Sequence, residues 1–416
     1  MATAGGVVDA PRAGRPLDVL AFAPLPYRED GRAAFERGVT IFYAALLPRL
    51  AALGHRVRVV AEAPPAAAGG RDTQALAAGV AVSWFAFDYH SSARPAAGAA
   101  AARLREQLAG ALERALAGGR PDVVLVGREI VAPALAVPLR AARLATVVVA
   151  HGPATLALRT RSYPAALRAE LTAALAAADA VVTVGRHLET ALRALGVPRV
   201  VTVANVADPA VFRPAAKDPA LLAAYGLSAH HLVIAHASGL RPLKRPLDLV
   251  ESAHAVCAAV PAAVYLIIGN GPSRAETEAR VRALGLGDHF RFAGQVEHAR
   301  MPAHLALADL VVLPSDAEGF PLVYGEAQAC GRALLASDIP PAREAIRDGA
   351  TGLLFRTGDV ADLAAKTATL AGDPALRARL GAAARAVAAE RTPERWAAAY
   401  AAILADAAAG RRPPPA

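Results

Sequence analysis

Cysteine, aromatic residues and long apolar runs are all scarce in this chain of 416 residues. The two cysteines, Cys257 and Cys330, exclude a disulfide framework and favour a reducing, cytoplasmic compartment. No stretch reaches the roughly 18 uncharged apolar residues that a transmembrane helix requires. Aromatic residues make up 5% of the chain, whereas the apolar fraction is 55%, and its excess is mostly alanine. This composition excludes general disorder and predicts many helices.

The net charge of the chain is positive, but the cations are dispersed. Lysine and arginine together number 45 against 36 aspartates and glutamates, which gives a net charge of +9. Three of the cations are lysines: Lys217, Lys244 and Lys366. Because the cations do not form runs, we expect a general attraction to anionic ligands and no nucleic acid as partner. Two arginine-bearing helical segments, 99–117 and 159–168, leave peripheral contact with a membrane surface open.

Several well-known site motifs are missing. There is no HExxH or CxxC pair, and the acidic triplet 316–318 matches a metal-binding loop only loosely, so no metal site is predicted. The sequence also lacks a GxSxG nucleophile turn, a P-loop and a complete GxGxxG fingerprint. It therefore gives no support to a serine hydrolase and contains no conventional nucleotide-binding fingerprint.

Short β-branched runs alternate with longer alanine- and leucine-rich periodic segments. Strands are predicted at 17–22, 56–60, 80–85, 122–127, 145–150, 181–184, 200–203, 232–237, 264–268, 290–293, 310–313 and 333–336. Helices are predicted at 39–53, 99–117, 131–143, 164–178, 246–259, 273–284, 322–330, 342–347, 360–371, 374–389 and 393–406. Because several strands are apolar on both faces, they suit parallel sheets covered by helices on each side. The alternation predicts an α/β fold of two Rossmann-like, doubly wound domains facing across a cleft.

The strand–helix rhythm breaks at NVADPAVFRPAAKDP, which is rich in proline, aspartate and asparagine. This segment marks the predicted join between the domains. We expect a disordered tail at 1–15, one domain over 16–204, a second over 205–390, and a final helix with a tail over 391–416.

The stretch PSDAEGFPLVYGEAQACG places two glutamates around the predicted start of a helix. Glu318 lies in the loop after a strand, and Glu326 lies about one turn inside the helix that opens near Leu322. Free backbone N–H groups and the helix dipole favour an anion there. A carboxylate further along the helix suits a diol such as a ribose, because its oxygens accept from two hydroxyls. Alternatively, Glu318 is a solvated loop charge and Glu326 a partner of the helix dipole.

Two turns of the second half favour phosphate contacts. In SGLRPLKRP, Arg241 and Lys244 lie in a strand-to-helix turn and suit a diphosphate. The arginine guanidinium can donate two parallel hydrogen bonds to a phosphate, and the lysine ammonium acts as a compact positive charge. In IIGNGPSR, Gly269 and Gly271 form a glycine-rich turn with the spacing of a nucleotide-contacting loop. Solvated charge and ordinary turn chemistry remain the alternatives for each turn taken alone.

The first half contributes two weaker candidates. His151 follows a predicted strand in VVVAHGP and can donate a hydrogen bond to a sugar hydroxyl or to developing charge. Gly38 starts a helix and would let the backbone approach a ligand closely. A satisfied histidine at a sheet edge and tight packing of a turn are the alternatives.

Taken together and in this order, the motifs resemble the retaining glycosyltransferases of family 4, which have the GT-B fold. The motif run is NVADPAVF, LRPLKRPLDLVESA, LIIGNGPSR, FRFAGQV, LADLVVLPSDAEGFPLVYGEAQACG and DIPPAREAIRDGATGLLF. The resemblance covers nearly the whole chain and is strongest over 205–381. In the family the first domain takes the acceptor, the second takes a nucleotide-activated sugar, and the final helix crosses back to the first domain.

The resemblance assigns donor-site roles by position. It implies that Arg241 and Lys244 hold the donor diphosphate and that Glu326 binds the ribose hydroxyls. Glu318 would contact the donor sugar near the reaction centre, and His151 would lie beside that sugar. Further donor contacts are implied for Gly38 near the phosphates, Gln295 and Val296 at the base, and Gly319, Phe320 and Leu322 through backbone amides.

The implied reaction moves a sugar from a nucleotide-diphosphate sugar, UDP- or GDP-linked, to a hydroxyl of a small-molecule, glycan or lipid-linked acceptor, with retention at the anomeric carbon. The resemblance implies front-face displacement without a metal, and the nucleotide sugar is a substrate, so no cofactor is expected. The acceptor's identity and the oligomeric state stay open at this point.

Three positions depart from the family pattern. Many members have an arginine five residues before the lysine, where this chain has Gly239, and the resemblance implies that Arg241, three residues before the lysine, fills that role. Pro321 replaces a common glycine and removes one amide donor. Arg37 and Gly38 stand where a double glycine is usual.

Two other functions fit parts of the pattern. A nucleotide-sugar epimerase of related fold would also bind a sugar diphosphate, but the spacing of Glu318 and Glu326 together with LRPLKR favours the transferase. A non-catalytic nucleotide-sugar-binding subunit is the second alternative, and the presence of both glutamates and Lys244 speaks against it.

Overall fold

A computed structural model of the chain describes residues 15–25, 27–29, 32–35, 38–63, 74–86, 99–160 and 162–411. The chain divides into two compact units, one formed by Met1–Ala204 with Glu394–Ala416 and the other by Asn205–Pro393. The last helix is therefore counted with the first unit. Of the tails expected from the sequence, positions 1–14 and 412–416 lie outside the described residues.

Strands and helices alternate along the described chain, interrupted by short 3-10 turns. The strands are β1 (Asp18–Phe22), β2 (Tyr27–Glu29), β3 (Arg32–Phe35), β4 (Arg56–Ala63), β5 (Gln74–Ala77), β6 (Val80–Ala86), β7 (Val123–Val126), β8 (Ala145–Ala150), β9 (Ala180–Thr183), β10 (Val200–Thr202), β11 (Leu232–Ala237), β12 (Ala263–Ile268), β13 (Phe290–Gly294), β14 (Leu310–Leu313), β15 (Ala333–Ser337) and β16 (Leu353–Phe355). The helices are α1 (Gly38–Ala52), α2 (Ala99–Ala117), α3 (Ala132–Ala141), α4 (Pro153–Arg159), α5 (Ala165–Ala177), α6 (Arg186–Ala194), α7 (Pro219–Ala224), α8 (Pro246–Ala259), α9 (Arg274–Ala283), α10 (Met301–Leu307), α11 (Leu322–Ala329), α12 (Pro340–Ala345), α13 (Val360–Gly372), α14 (Pro374–Ala389) and α15 (Pro393–Ala408).

The first unit is built on a sheet whose eight described strands have the order β10-β9-β8-β7-β1-β4-β6-β5. Neighbouring strands run parallel, except that the edge strand β5 is antiparallel to β6. Its core combines strand residues such as Leu20 and Val148 with helix residues such as Leu135 and Leu171, all nearly inaccessible to solvent. A separate antiparallel hairpin of β2 and β3 lies between the first predicted strand and the first predicted helix.

The second unit is built on a parallel sheet whose six described strands have the order β13-β12-β11-β14-β15-β16. The chain adds β12 and β13 on one side of β11 and then adds β14, β15 and β16 on the other side. Tyr265, Leu335 and Phe355 from the sheet pack with Val250 and Leu363 from helices to form a core of its own.

Aspartate caps fix where several helices begin. The carboxylates of Asp218, Asp359 and Asp373 accept hydrogen bonds from backbone N–H groups two or three residues ahead. These bonds satisfy donors that have no partner within the first turn of a helix. Proline at the first position, as in α14, adds a φ angle that already suits the helix.

The predicted fold class is confirmed, since each unit is a doubly wound α/β sheet of mostly parallel strands. Strands β8, β11 and β14 have the predicted bounds. The predictions missed short elements: β2, β3, β5, β16, α4, α6, α7 and α10. In α6, for instance, the buried face consists of Leu188, Ala191 and Leu192, which is too few apolar positions to establish a helical period.

Candidate functional site

Most of the predicted residues of the second unit lie in the loops that follow its strands, and Leu322 and Glu326 lie in helix α11. Because β11 lies between β12 and β14, the direction in which the sheet grows reverses beside β11. Ligands of this architecture bind outside the carboxyl ends of the strands at such a switch point. Residues 238–245, here termed the basic loop, follow β11, and residues 314–321, termed the acidic loop, follow β14.

A buried histidine anchors the basic loop. His236 in β11 contacts the Val312 carbonyl through Nδ1 at 2.9 Å and the Ser238 hydroxyl through Nε2 at 2.7 Å. Because a carbonyl only accepts, Nδ1 carries the proton and Nε2 accepts from Ser238. The pKa of His236 is lowered to about 4, chiefly by burial and also by the charge of Lys244, although the hydrogen bond to Val312 raises it. The Ser238 oxygen in turn accepts from the Leu240 N–H at 3.3 Å.

The backbone of the basic loop is strained at two residues. Leu240 has a φ of 26° and Arg245 a φ of 49°. Such conformations cost on the order of 1–3 kcal/mol each and persist where the surroundings enforce them, often at functional sites. Between the two strained residues, the Arg241 side chain is exposed and Lys244 is half-buried.

Close packing of two turns requires both predicted glycines. A Cβ added at Gly269, whose φ is 119°, would lie 1.9 Å from the Ser238 carbonyl oxygen. A Cβ added at Gly271 would lie 2.2 Å from the Gly239 carbonyl oxygen. The glycine turn thus lies directly against the basic loop, which accounts for both glycines, and their contact with a donor stays a prediction.

Three contacts join the acidic loop to the basic loop. The Lys244 ammonium forms an ion pair with the Glu318 carboxylate. The Asp316 N–H donates to the Leu243 carbonyl at 2.9 Å, and the Asp316 carboxylate accepts from Arg245 at 3.2 Å. The structure therefore brings together a predicted phosphate ligand, Lys244, and a predicted sugar ligand, Glu318.

The helix after the acidic loop carries the second glutamate. Glu326 lies in α11, is 5% exposed, and accepts a hydrogen bond from His298 Nε2 at 2.8 Å. The buried Phe320 is held at the end of the acidic loop, because its carbonyl accepts from the Asn205 side chain at 2.7 Å. The two other predicted amide contributors of this region, both half-buried, are Gly319 and Leu322.

The turn predicted to meet the base follows β13. Gln295 is exposed and Val296 half-buried. The preceding Gly294, with a φ of 69°, accepts from the Gly269 N–H at 2.7 Å, so this turn is tied to the glycine turn. A contact with a base stays a prediction for both residues.

In the first unit, His151 follows β8 and its ring is buried. Its Nε2 lies 3.1 Å from the Tyr43 hydroxyl, which donates to the Gly127 carbonyl at 2.7 Å. Burial, as the largest cause, lowers the pKa of His151 to about 3, so the ring is neutral at pH 7. The buried Glu129 carboxylate accepts from the His151 N–H at 3.1 Å. Gly38 begins α1 and is exposed, and for both His151 and Gly38 a donor contact stays a prediction.

Sequence reasoning missed the residues that hold the site in place. They are His236, Ser238, His298, Asn205, Glu129 and Tyr43. One signal was available, because a histidine interrupts the otherwise apolar strand LVIAHA. A polar residue inside a buried strand requires a partner, and partners of that kind hold neighbouring loops.

Among the described residues, no group of three or more histidine, cysteine, aspartate or glutamate side chains could hold a metal ion. None of the described helices combines the length and apolarity needed to cross a membrane. A cavity of about 360 Å³ lies in the first unit near the amino end of β8, where alanines of α3, α5 and α15 line it together with the charged residues Arg140, Arg143 and Asp179.

The fold belongs to the GT-B class. The structure matches sucrose-phosphate synthase from Thermosynechococcus elongatus with a TM-score of 0.76 at 21% identity, over 92% of this chain and 97% of that one. It matches Anabaena HepE, solved in complex with UDP and glucose, with a TM-score of 0.71 at 20% identity, over 93% and 98%. At such identities these likenesses show the fold.

Sequence comparison identifies the family. The profile described as Glycosyltransferase Family 4 matches residues 37–211, and the profile described as Glycosyl transferases group 1 matches residues 222–387. The chain belongs to glycosyltransferase family 4. It is 38% identical over 161 residues to a GDP-mannose-dependent monoacylated α-(1-6)-phosphatidylinositol monomannoside mannosyltransferase of Corynebacterium glutamicum, over 37% of this chain and 42% of that protein. The chain spans less than half the length of the curated relatives that it matches.

Proposed function

We propose that the chain is a retaining glycosyltransferase that moves a sugar from a UDP- or GDP-sugar to an acceptor hydroxyl. In this proposal the second unit binds the donor, with Arg241 and Lys244 on the diphosphate and Glu326 on the ribose. Both nucleotides enter as candidates, because one relative is named as GDP-mannose-dependent and one structural neighbour was solved with UDP. The acceptor is a small-molecule, glycan or lipid-linked hydroxyl.

The observation that carries the proposal is the contact between Lys244 and Glu318 at the switch point. A lysine held by a carboxylate beside a helix N-terminus can exchange that partner for an incoming diphosphate. The exchange frees Glu318 for a sugar hydroxyl. As the sugar leaves, the growing negative charge on the diphosphate is stabilised by Lys244, Arg241 and the N-terminus of α11.

We propose front-face displacement for the chemical step. The acceptor oxygen forms a bond to the anomeric carbon as the bond from that carbon to the phosphate oxygen breaks. The departing phosphate takes the acceptor's proton, which leaves a nucleoside diphosphate and a glycoside with the original anomeric configuration. Neither a covalent enzyme intermediate nor a metal ion is part of this proposal.

The test replaces Lys244 by alanine and measures release of nucleoside diphosphate from UDP- and GDP-sugars over an acceptor panel. We expect kcat/KM for the donor to fall at least about tenfold, since a hydrogen bond to a charged group contributes roughly 1.5–3 kcal/mol. Lys217→Ala is the matched control. Lys217 pairs with Asp309 at the amino ends of β11 and β14, and the lysine side chains of the two pairs are 22% and 21% exposed.

Lys217→Ala is expected to retain the donor kcat/KM of the wild type per folded molecule. Unchanged kcat/KM in Lys244→Ala would overturn the proposed site. A new sugar epimer formed from donor alone would instead support a nucleotide-sugar epimerase. Binding of nucleotide sugar without release of nucleotide, over all acceptors, would support a binding subunit.

A further inference from the structure

The carboxylate assigned to the ribose is already held by a neighbouring side chain. Glu326 is 5% exposed, and its Oε1 accepts from His298 Nε2 at 2.8 Å. Among the residues that the structure describes, His298 provides the hydrogen bond to this carboxylate, and Oε2 has no protein partner. A carboxylate with one oxygen fixed and the other available is oriented before a ligand arrives.

His298 is itself held by packing. It opens a short 3-10 turn, two residues after Val296, so the turn predicted to meet the base leads directly into it. Its ring lies 5.4 Å from the ring of Phe212, measured between centroids. Phe212 is 2% exposed and ends the motif NVADPAVF, where its N–H donates to the Asp208 carbonyl at 2.7 Å.

Three segments far apart in sequence therefore converge on one carboxylate. Phe212 supports His298, His298 fixes Oε1 of Glu326, and α11 carries Glu326 behind the acidic loop. A neutral imidazole protonated at Nε2 can donate this bond, and so can an imidazolium. The arrangement thus does not require a charged histidine.

We infer that His298 is a positioning residue for recognition of the ribose, acting through Glu326 and not by contact with the ligand. The inference rests on the proposed function, in which Glu326 accepts from the ribose hydroxyls. Without the hydrogen bond from His298 Nε2, the Glu326 carboxylate can rotate, and its hydrogen bond with the ribose 2′-hydroxyl becomes weaker. Contacts to the diphosphate are unaffected.

The experiment measures binding of UDP, GDP and their 2′-deoxy counterparts to the full chain by calorimetry. For the tighter nucleotide, we expect the wild type to bind the ribose form about tenfold or more better than the deoxy form. His298→Leu should bring this ratio close to one. His298→Gln, whose amide N–H can replace Nε2–H, should keep most of the ratio. The control is His254→Leu, because His254 is exposed on α8.

A general disturbance of the fold would weaken both nucleotides equally and leave the ratio unchanged, so an unchanged ratio in His298→Leu overturns the inference. Glu326→Ala separates this failure from failure of the proposed function. If Glu326→Ala abolishes the ratio but His298→Leu keeps it, the ribose site stands and the role of His298 falls. If Glu326→Ala keeps the ratio, the proposed ribose site falls and the inference falls with it.

Discussion

Two of the three lysines pair with carboxylates that flank β14, and their surroundings differ. Lys217 contacts Asp309 before the strand, where Asp309 also accepts from the Val233 N–H at 2.8 Å. That pair is built into the start of two neighbouring strands. Lys244 contacts Glu318 after the strand, between two loops. Because each partner of the second pair lies in a loop, an anionic ligand can separate them without disturbing the sheet.

His236 predicts a loss of stability on acidification. Its pKa is about 4 in the folded chain and 6.5 in its ordinary state. Between these values the unfolded chain binds a proton that the folded chain does not, so the free energy of unfolding falls as the pH falls. The slope is at most about 1.4 kcal/mol per pH unit for this one group. The free energy of unfolding, measured with denaturant at several pH values between 6.5 and 4, should therefore change less with pH in His236→Gln than in the wild type.

The control for this prediction is His254→Gln, because it replaces a histidine whose side chain is exposed. If the free energy of unfolding depended equally on pH in His236→Gln and the wild type, burial of His236 would not make the chain less stable in acid. His151, whose pKa is about 3, adds its own contribution in every variant and so does not affect the difference.

At the residue scale, the sequence identified the charged groups of the site but not the residues that hold those groups in position. Glu318, Glu326 and Lys244 stand in loops and helix starts whose place follows from the strand–helix alternation. Their supports depend on contacts between distant segments: Asn205 reaches Phe320 across 115 positions of sequence. No periodicity in the chain encodes such a pairing, since it arises only once the sheet order is fixed.

At the scale of elements, α15 is attached to the first unit by aromatic packing. Trp396 and Tyr400 lie 6% and 0% exposed. The Phe42 ring of α1 meets Trp396 edge-on, with centroids 5.0 Å apart, and Tyr400 at 5.7 Å. The His151 ring contacts Phe42 from another side at 4.7 Å. Phe42 therefore contacts both the last helix and the histidine after β8.

Replacing Trp396 by alanine should destabilise the first unit by about 3 kcal/mol or more, because it removes a large buried ring. Thermal unfolding of the full chain measures this loss. Glu394→Ala is the control, as it changes an exposed side chain in the same turn. Equal midpoints for the two variants would show that α15 does not depend on this contact.

Local sequence patterns predicted the longer, buried elements more readily than the short elements and the edge strands. Apolar runs such as those of β8 and β11 are bounded on both sides by polar or turn residues, so their limits were visible. Strand β16 has three residues and β5 pairs antiparallel at an edge. Such elements exist because a neighbouring strand offers hydrogen bonds, which is a property of the assembled sheet.

At the scale of the whole molecule, the fold class could be predicted because each unit repeats the same alternation of buried strands and covering helices. Each unit also encloses a core of its own, as the separate clusters around Val148 and Tyr265 show. The residues proposed to bind the nucleotide sugar, Arg241, Lys244 and Glu326, all belong to the second unit. Nucleotide binding and stability of that unit can therefore be separated from the first unit by experiment.

The segment Asn205–Pro393, expressed alone, is expected to fold and to bind UDP or GDP. Its six described strands pair with each other, and its core draws on residues of the same segment. A cooperative thermal transition would establish folding, and nucleotide at one hundred times its Kd should stabilise the segment by about 2.7 kcal/mol. The same segment with Lys244→Ala is the control and should show weaker binding with its transition retained. A segment that unfolds cooperatively yet gains no stability from either nucleotide would mean that the donor site needs residues of the first unit, because the proposed ligands would then be present but insufficient.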